Sequence, residues 1–371
     1  MELYVLLPAD GAALLQRLAA GHDLRAAAYW YEQTYGEPVD IDDFARTLAE
    51  LGFLAPAGTP RPVRFQRLGA ALFGPLGWCL YAALVLAVLV LLLTRPELRP
   101  GYRQLFFTPY VVLIEITAFV GQVPGLVLHE SFHALAGRRL GLRSTTRVGR
   151  RLYYLVLETS MDGLVGVPRS RRYLPILAGM LADVLWFSLL TLAAAGLGRS
   201  GPVGVLGRAC LCLASATVLR FVWQFQFYLR TDLYMLLQTL LGVNDLHGAA
   251  WFRVRRAGRA LRARLTRRPV PAPDAAAWSE RDLRHAGWYA PLMLIGYAVV
   301  LLTLVFFVLP AGVRMVRIVA ARLLSPHGVP AGKVLDAAVF VVLNALEGLV
   351  LLAIWSRSRA RAAPARPPRP T

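Results

Sequence analysis

Lysine occurs once in this chain, at Lys333, and cysteine three times. The lysine shortage selects no functional class, because arginine simply takes its place. The cysteines, Cys79, Cys210 and Cys212, lie inside apolar runs. That placement excludes a disulfide framework and a thiolate zinc cluster and leaves them as small buried hydrophobes. Acidic residues are also scarce, 22 against 41 Lys and Arg. The resulting net charge of +19 does not point to nucleic acid, because the arginines lie between apolar runs and not on a soluble basic domain. No cleavable signal peptide is expected, since the opening residues mix Asp, Glu and Arg with apolar positions. The chain carries no internal repeat.

Apolar residues are abundant, at 57% of the total, above the share of an ordinary soluble domain. Six runs, 70–93, 110–137, 173–197, 204–229, 289–310 and 333–355, reach the roughly 20 residues that cross a hydrocarbon core. The expected fold is mainly α, a polytopic membrane helix bundle of six spans in contact with the lipid bilayer. With the N-terminus inside, 31 Lys and Arg fall on the inner side, nine on the outer and Arg220 within a span. The positive-inside rule then favours the cell membrane with both termini cytosolic.

Outside the spans, residues 1–56 form a small soluble unit. It has an apolar opening from Leu3 to Leu7, Asp10 as a helix cap, a second helix from Asp23 to Tyr35 and a third from Asp42 to a stop at Gly52. Residues 57–67 read as a linker, 68–355 as the membrane domain and 356–371 as a disordered basic tail. Residues 151–161, RLYYLVLETSM, are strand-like: either an edge that holds a peptide extended or a strand packed over the site. The Arg-dense loop 253–285 reads as a surface helix followed by an irregular linker.

The second span contains His129-Glu130-Ser131-Phe132-His133. Histidines four apart share one helix face and can share one zinc ion, while Glu130 beside them can act as general acid/base on a water that zinc brings to a pKa near about 7. A catalytic zinc needs a third protein ligand and an open position. Asp232 is the better candidate, with Glu158 and Asp162 as rivals. Glu115, on the same span, is roughly 21 Å away along a helix and reads as a polar contact between spans or a lumen-facing group. Asp183 either leans on the site from behind a ligand or joins helices. Gln224 and Gln226 add polarity near Asp232. His22, His247, His285 and His327 are expected to be ordinary surface histidines.

HESFHA on one span, with Thr231-Asp232-Leu233-Tyr234 on a later one, resembles the site-2-protease-type membrane zinc metallopeptidases, and more narrowly their bacterial peptide zinc metalloprotease branch. The resemblance covers roughly residues 68–355. It implies one zinc held by His129, His133 and Asp232, with Glu130 catalytic, and cleavage of a peptide precursor or a membrane-anchored substrate. Leu233 stands where that family has Gly, and Gln224 and Gln226 where it has Asn-Pro. Asp43 to Phe53 resembles the leader-peptide-binding domain of the pyrroloquinoline-quinone chaperone type. That implies an α+β, winged-helix-like unit that captures a ribosomally made peptide by strand addition and works with a peptide-modifying or export partner. The competing reading is a non-catalytic membrane subunit that binds a peptide for maturation or export.

Overall fold

The computed structural model describes residues 7–50, 63–151, 154–198, 201–267 and 278–362. The chain divides into two units, Met1–Arg64 and Phe65–Thr371.

In the first unit three helices, α1 (Ala9–Ala19), α2 (Leu24–Tyr35) and α3 (Ile41–Glu50), enclose Leu14, Ala27 and Leu48. Asp23 caps α2 by accepting from Arg25 N, and Asp40 accepts from Asp43 N at 2.9 Å, which starts α3 one residue before the expected Asp42. Asp10 does not cap α1, whose N-cap is Pro8. Its carboxylate instead accepts the Tyr31 hydroxyl at 2.6 Å and ties α1 to α2. The expected strand 3–7 and the Leu51-Gly52-Phe53 stop fall almost wholly outside the described residues, as does most of the 57–67 linker.

The second unit is mostly helical. Six of its helices are long and apolar enough to cross a membrane: Pro75–Thr94, Val111–Arg139, Arg169–Leu197, Gly204–Trp223, Glu280–Phe306 and Ala331–Ala353. This makes the chain a multi-pass membrane protein with lipid-facing surfaces. The first expected span begins later than its apolar run, because Gly74-Pro75 opens a new helix. A separate α4 (Gln66–Leu72) precedes α5 (Pro75–Thr94). After the short α6 (Tyr102–Leu105), the second span is two helices in series, α7 (Val111–Phe119) and α8 (Val123–Arg139), joined by a 3-10 turn at Val120–Gln122. Pro124 explains the break, since it cannot donate to the Val120 carbonyl.

Between spans lies a hairpin in place of the single strand expected. β1 (Arg143–Arg151) pairs antiparallel with β2 (Tyr154–Asp162), and the register sets Arg143 across from Asp162 and Arg147 across from Glu158. Leu157, Thr159 and Met161 are half-buried while Ser160 is exposed, the alternation of a strand with one face on a core. Thr159 donates to the Glu130 carbonyl at 3.3 Å, so β2 packs on α8.

α9 (Arg169–Leu197) is the central span, with 56% of its apolar window buried against 11% for α5. Ala178 and Ala182 are fully buried in its contact with Phe132 and Ala136 of α8, and small residues there allow close helix approach. α10 (Gly201–Trp223) ends six residues before the expected 229. An irregular turn follows, and then α11 (Asp232–Leu241) and α12 (Leu246–Thr266), which is the expected surface helix; its linker at 268–277 lies outside the described residues.

α13 (Glu280–Thr303) begins nine residues before the expected span, at a capping box of Ser279 and Asp282. It does not stop at Pro310. A π-helical segment, Leu304–Val308, absorbs that proline and the helix continues as α14 (Leu309–Leu324). α15 (Ala331–Ala362) likewise runs on through 356–362, expected to be disordered; residues 363–371 lie outside the described part.

Candidate metal centre

The α-helical period places His129 and His133 on one face of α8, and both side chains are buried. His133 Nδ1 lies 2.7 Å from the Pro175 carbonyl of α9. A carbonyl only accepts, so Nδ1 carries the hydrogen and Nε2 presents its lone pair. His129 Nδ1 is 3.1 Å from Asp183 Oδ2, at ion-pair distance without the alignment of a hydrogen bond. The carboxylate favours a hydrogen on that nitrogen too. The two Nε2 atoms then face each other at 3.2 Å, and Asp232 Oδ2 lies 3.2 Å from one and 3.3 Å from the other.

Three acceptors thus converge with no donor among them, and Asp232 Oδ2 has no hydrogen-bond partner among the described residues. A cation completes such a set, and the group could hold a metal ion. Gly179 of α9 supplies the space. A Cβ there would overlap Nε2 of both histidines. Asp232 is the most accessible member, with 23% of its side chain exposed against 5% for His129, although its Oδ2 is itself buried.

Asp232 reaches the triangle because of the turn before it. Gln224 accepts from Asp232 N through Oε1 at 3.1 Å and from the Thr231 hydroxyl through its carbonyl at 2.6 Å. The left-handed backbone in this turn belongs to Arg230, at φ 59°. Leu233 is helical, so glycine is not required there.

Asp183 turns its other oxygen to the Arg220 guanidinium, whose Nε and Nη2 lie at 3.1 and 2.6 Å. Arg220 Nη1 donates to Gln122 Oε1 at 2.9 Å, and Gln122 Nε2 to the Leu213 carbonyl at 3.2 Å. A polar chain therefore runs from His129 through α9 and α10 to the turn between α7 and α8. Glu130 is buried next to His129.

The structure brings together His129, His133, Asp232 and Asp183, and sets Gln224 behind Asp232. Gln226 Oε1 is buried without a hydrogen-bond partner among the described residues. Glu158 and Asp162 are on β2, and their side chains lie outside the described residues. Glu115 accepts from Asn344 of α15 at 3.0 Å, a contact between spans. His22 and His327 are exposed as expected. His247 is not: it is buried, its Nε2 accepts from Trp251 at 3.1 Å, and its ring faces Tyr234 and Tyr289. Sequence reasoning also missed Gln122, the Pro175 carbonyl and the pairing of Arg220 with Asp183. An aspartate and an arginine inside two apolar spans are costly unless paired, and that was the available signal. Comparison of the chain with family profiles, curated proteins and solved structures finds no match.

Proposed function

We propose that the protein is a membrane-embedded zinc peptidase of the site-2-protease type, hydrolysing a peptide precursor or a membrane-anchored substrate. The observation that carries this reading is the triangle of His129 Nε2, His133 Nε2 and Asp232 Oδ2, with sides of 3.2, 3.2 and 3.3 Å. Tetrahedral zinc with bonds of about 2.0–2.1 Å needs ligand atoms about 3.3–3.4 Å apart, so the donors fit zinc in kind and spacing. Zinc bound there supplies Lewis acidity toward a water and toward the scissile carbonyl.

The remaining roles fall to the chain's own groups. The Glu130 carboxylate takes a proton from the attacking water as its oxygen bonds to the carbonyl carbon, and returns it to the amine nitrogen as the C–N bond breaks. Pro175 and Asp183 hold the imidazoles in the tautomer that keeps Nε2 free. Arg220 neutralises Asp183, so the buried carboxylate does not draw a proton from the site. β2 has β1 on one edge only among the described residues, and its other edge can take a substrate strand, which keeps the scissile bond extended. Delivery of a ribosomally made precursor by the N-terminal unit belongs to the same reading and rests on the resemblance alone.

The test is metal content and hydrolysis of a quenched-fluorescent peptide library by the detergent-purified chain. One equivalent of zinc is expected in the parent and in Glu130→Gln, and none in His129→Ala or Asp232→Ala. Cleavage should fall by about 10²–10⁴-fold in Glu130→Gln. Full cleavage by that variant would remove Glu130 from its role. Zinc without hydrolysis in the parent would favour a non-catalytic subunit that binds peptides.

A further inference from the structure

α12 is anchored at one end and bare at the other. Leu246, Ala249 and Ala250 are buried in the cluster that includes Ala286, Tyr289 and Met293 of α13, and His247 and Phe252 of the same helix are buried as well. The His247 ring lies 6.4 Å from that of Tyr289, and the Trp251 ring 6.2 Å from that of Tyr297. Both tyrosines belong to the candidate span Glu280–Phe306, so the first two turns of α12 are anchored against a membrane helix. From residue 255 to 267 every residue except Ala263 is exposed.

This outer half is two-faced. At helical spacing Val254, Ala257, Leu261 and Leu265 share one stripe, and Leu261 and Leu265 are 58% and 77% exposed. Arg255, Arg256, Arg259, Arg262, Arg264 and Arg267 cover the rest of the circumference, and α12 contains no acidic residue to offset them. No part of the described chain covers the two leucines.

We propose that residues 255–267 dock on the anionic phospholipid surface of the bilayer from which α12 emerges. Leu261 and Leu265 enter the headgroup boundary and the arginines pair with lipid phosphates. A stripe of two large apolar side chains is thin for a protein interface but suffices for a helix lying in a lipid surface. The guanidinium fork matches phosphate geometry, and six cations beside a span match the surface charge of anionic lipids. An acidic polypeptide could also neutralise the arginines. The anchor at Tyr289 and Tyr297 favours lipid, because it ties the arm to a span of that bilayer and so keeps the lipid at high effective concentration.

The experiment uses the full chain in nanodiscs of phosphatidylcholine, alone or mixed with phosphatidylglycerol, and follows the rate of trypsin cleavage within 255–267. Cleavage should slow by about tenfold or more in the anionic discs, while cleavage in the β1 segment 143–147 stays unchanged. The protection should vanish in about 1 M salt, where the screening length is about 3 Å, and weaken in Leu261→Ser with Leu265→Ser. Equal rates in the two discs would overturn the proposal. So would protection by soluble polyglutamate in phosphatidylcholine discs that matches the effect of phosphatidylglycerol. None of these outcomes depends on the peptidase reading.

Discussion

Two buried aspartate–arginine pairs sit in the membrane unit, Asp183 with Arg220 and Asp336 with Arg322, and their remaining valences are used differently. Asp336 of α15 accepts Val111 N and Val112 N at 2.8 and 2.9 Å, while Arg322 Nη1 lies 3.1 Å from Oδ2. It therefore caps the first turn of α7 from 225 residues away in sequence, and both its oxygens are satisfied. Asp183 spends only Oδ1 on Arg220; Oδ2 faces His129 without a hydrogen bond. Equal residue types and similar burial thus serve a clamp in one place and the edge of a candidate site in the other. What separates them is the unused valence, which at Asp183 continues into the unpaired Asp232 Oδ2.

The largest effect is expected from a substitution that leaves every charged group in place. In Gly179→Ala the new methyl would overlap Nε2 of both histidines, displacing them from the triangle while the donor set stays complete. Metal content should fall from one equivalent to none, and the variant should stay folded because the better helix former gains about 1 kcal/mol against an overpacking cost of about 1–3 kcal/mol. Normal zinc in this variant would mean that the triangle is not the metal centre.

Next in size is the contrast between the pairs themselves. Asp183→Asn should weaken metal binding by about 10–100-fold, as loss of a group behind a ligand does elsewhere. Asp336→Ala should leave metal affinity alone and destabilise the fold by about 3 kcal/mol, since it strands Arg322 and two helix N–H groups. Thermal unfolding and competitive zinc titration of both variants check the two halves. Equal losses of metal affinity would erase the distinction between clamp and site.

Much of the site was legible before the fold was known, because spacing alone puts His129 and His133 on one face and residue chemistry restricts the third ligand to a few carboxylates. The partners of Asp183 and Asp336 were not legible. They depend on α10, α14 and the break between α7 and α8, which hydropathy cannot place. Pro310 read as a terminator, yet the chain absorbs it in a π turn and extends as α14, and so Arg322 reaches Asp336. The expected span ends at 70, 229 and 289 shift for the same reason. Apolar runs locate lipid-compatible stretches, whereas Gly74-Pro75, the Gln224 turn and the Ser279 cap set where helices begin and stop. Arg143-Ser-Thr-Thr-Arg147 is too polar to read as a strand until β2 is there to pair with it.

His247 offers the subtlest test, because it too has an unused valence, a buried Nδ1 without a partner. Its surroundings, however, are the rings of Tyr234, Tyr289 and Trp251, and its backbone N–H donates to the Tyr234 hydroxyl at 3.0 Å. Among the described residues no second acceptor converges on it. Burial, and then the Arg230 cation, push its pKa from 6.5 down to about 4 against the opposing Asp245. The folded state therefore keeps His247 neutral over a range in which the unfolded chain is already protonated. Its contribution to stability is complete above pH 6.5 and is lost as the pH falls from there toward about 4. In His247→Gln the melting temperature should fall less between those two pH values than in the parent, while zinc content stays the same. If zinc were lost as well, an open valence among aromatic rings would matter to the metal centre through Tyr234 and α11, and the boundary between site and scaffold would have to move outward to include α12.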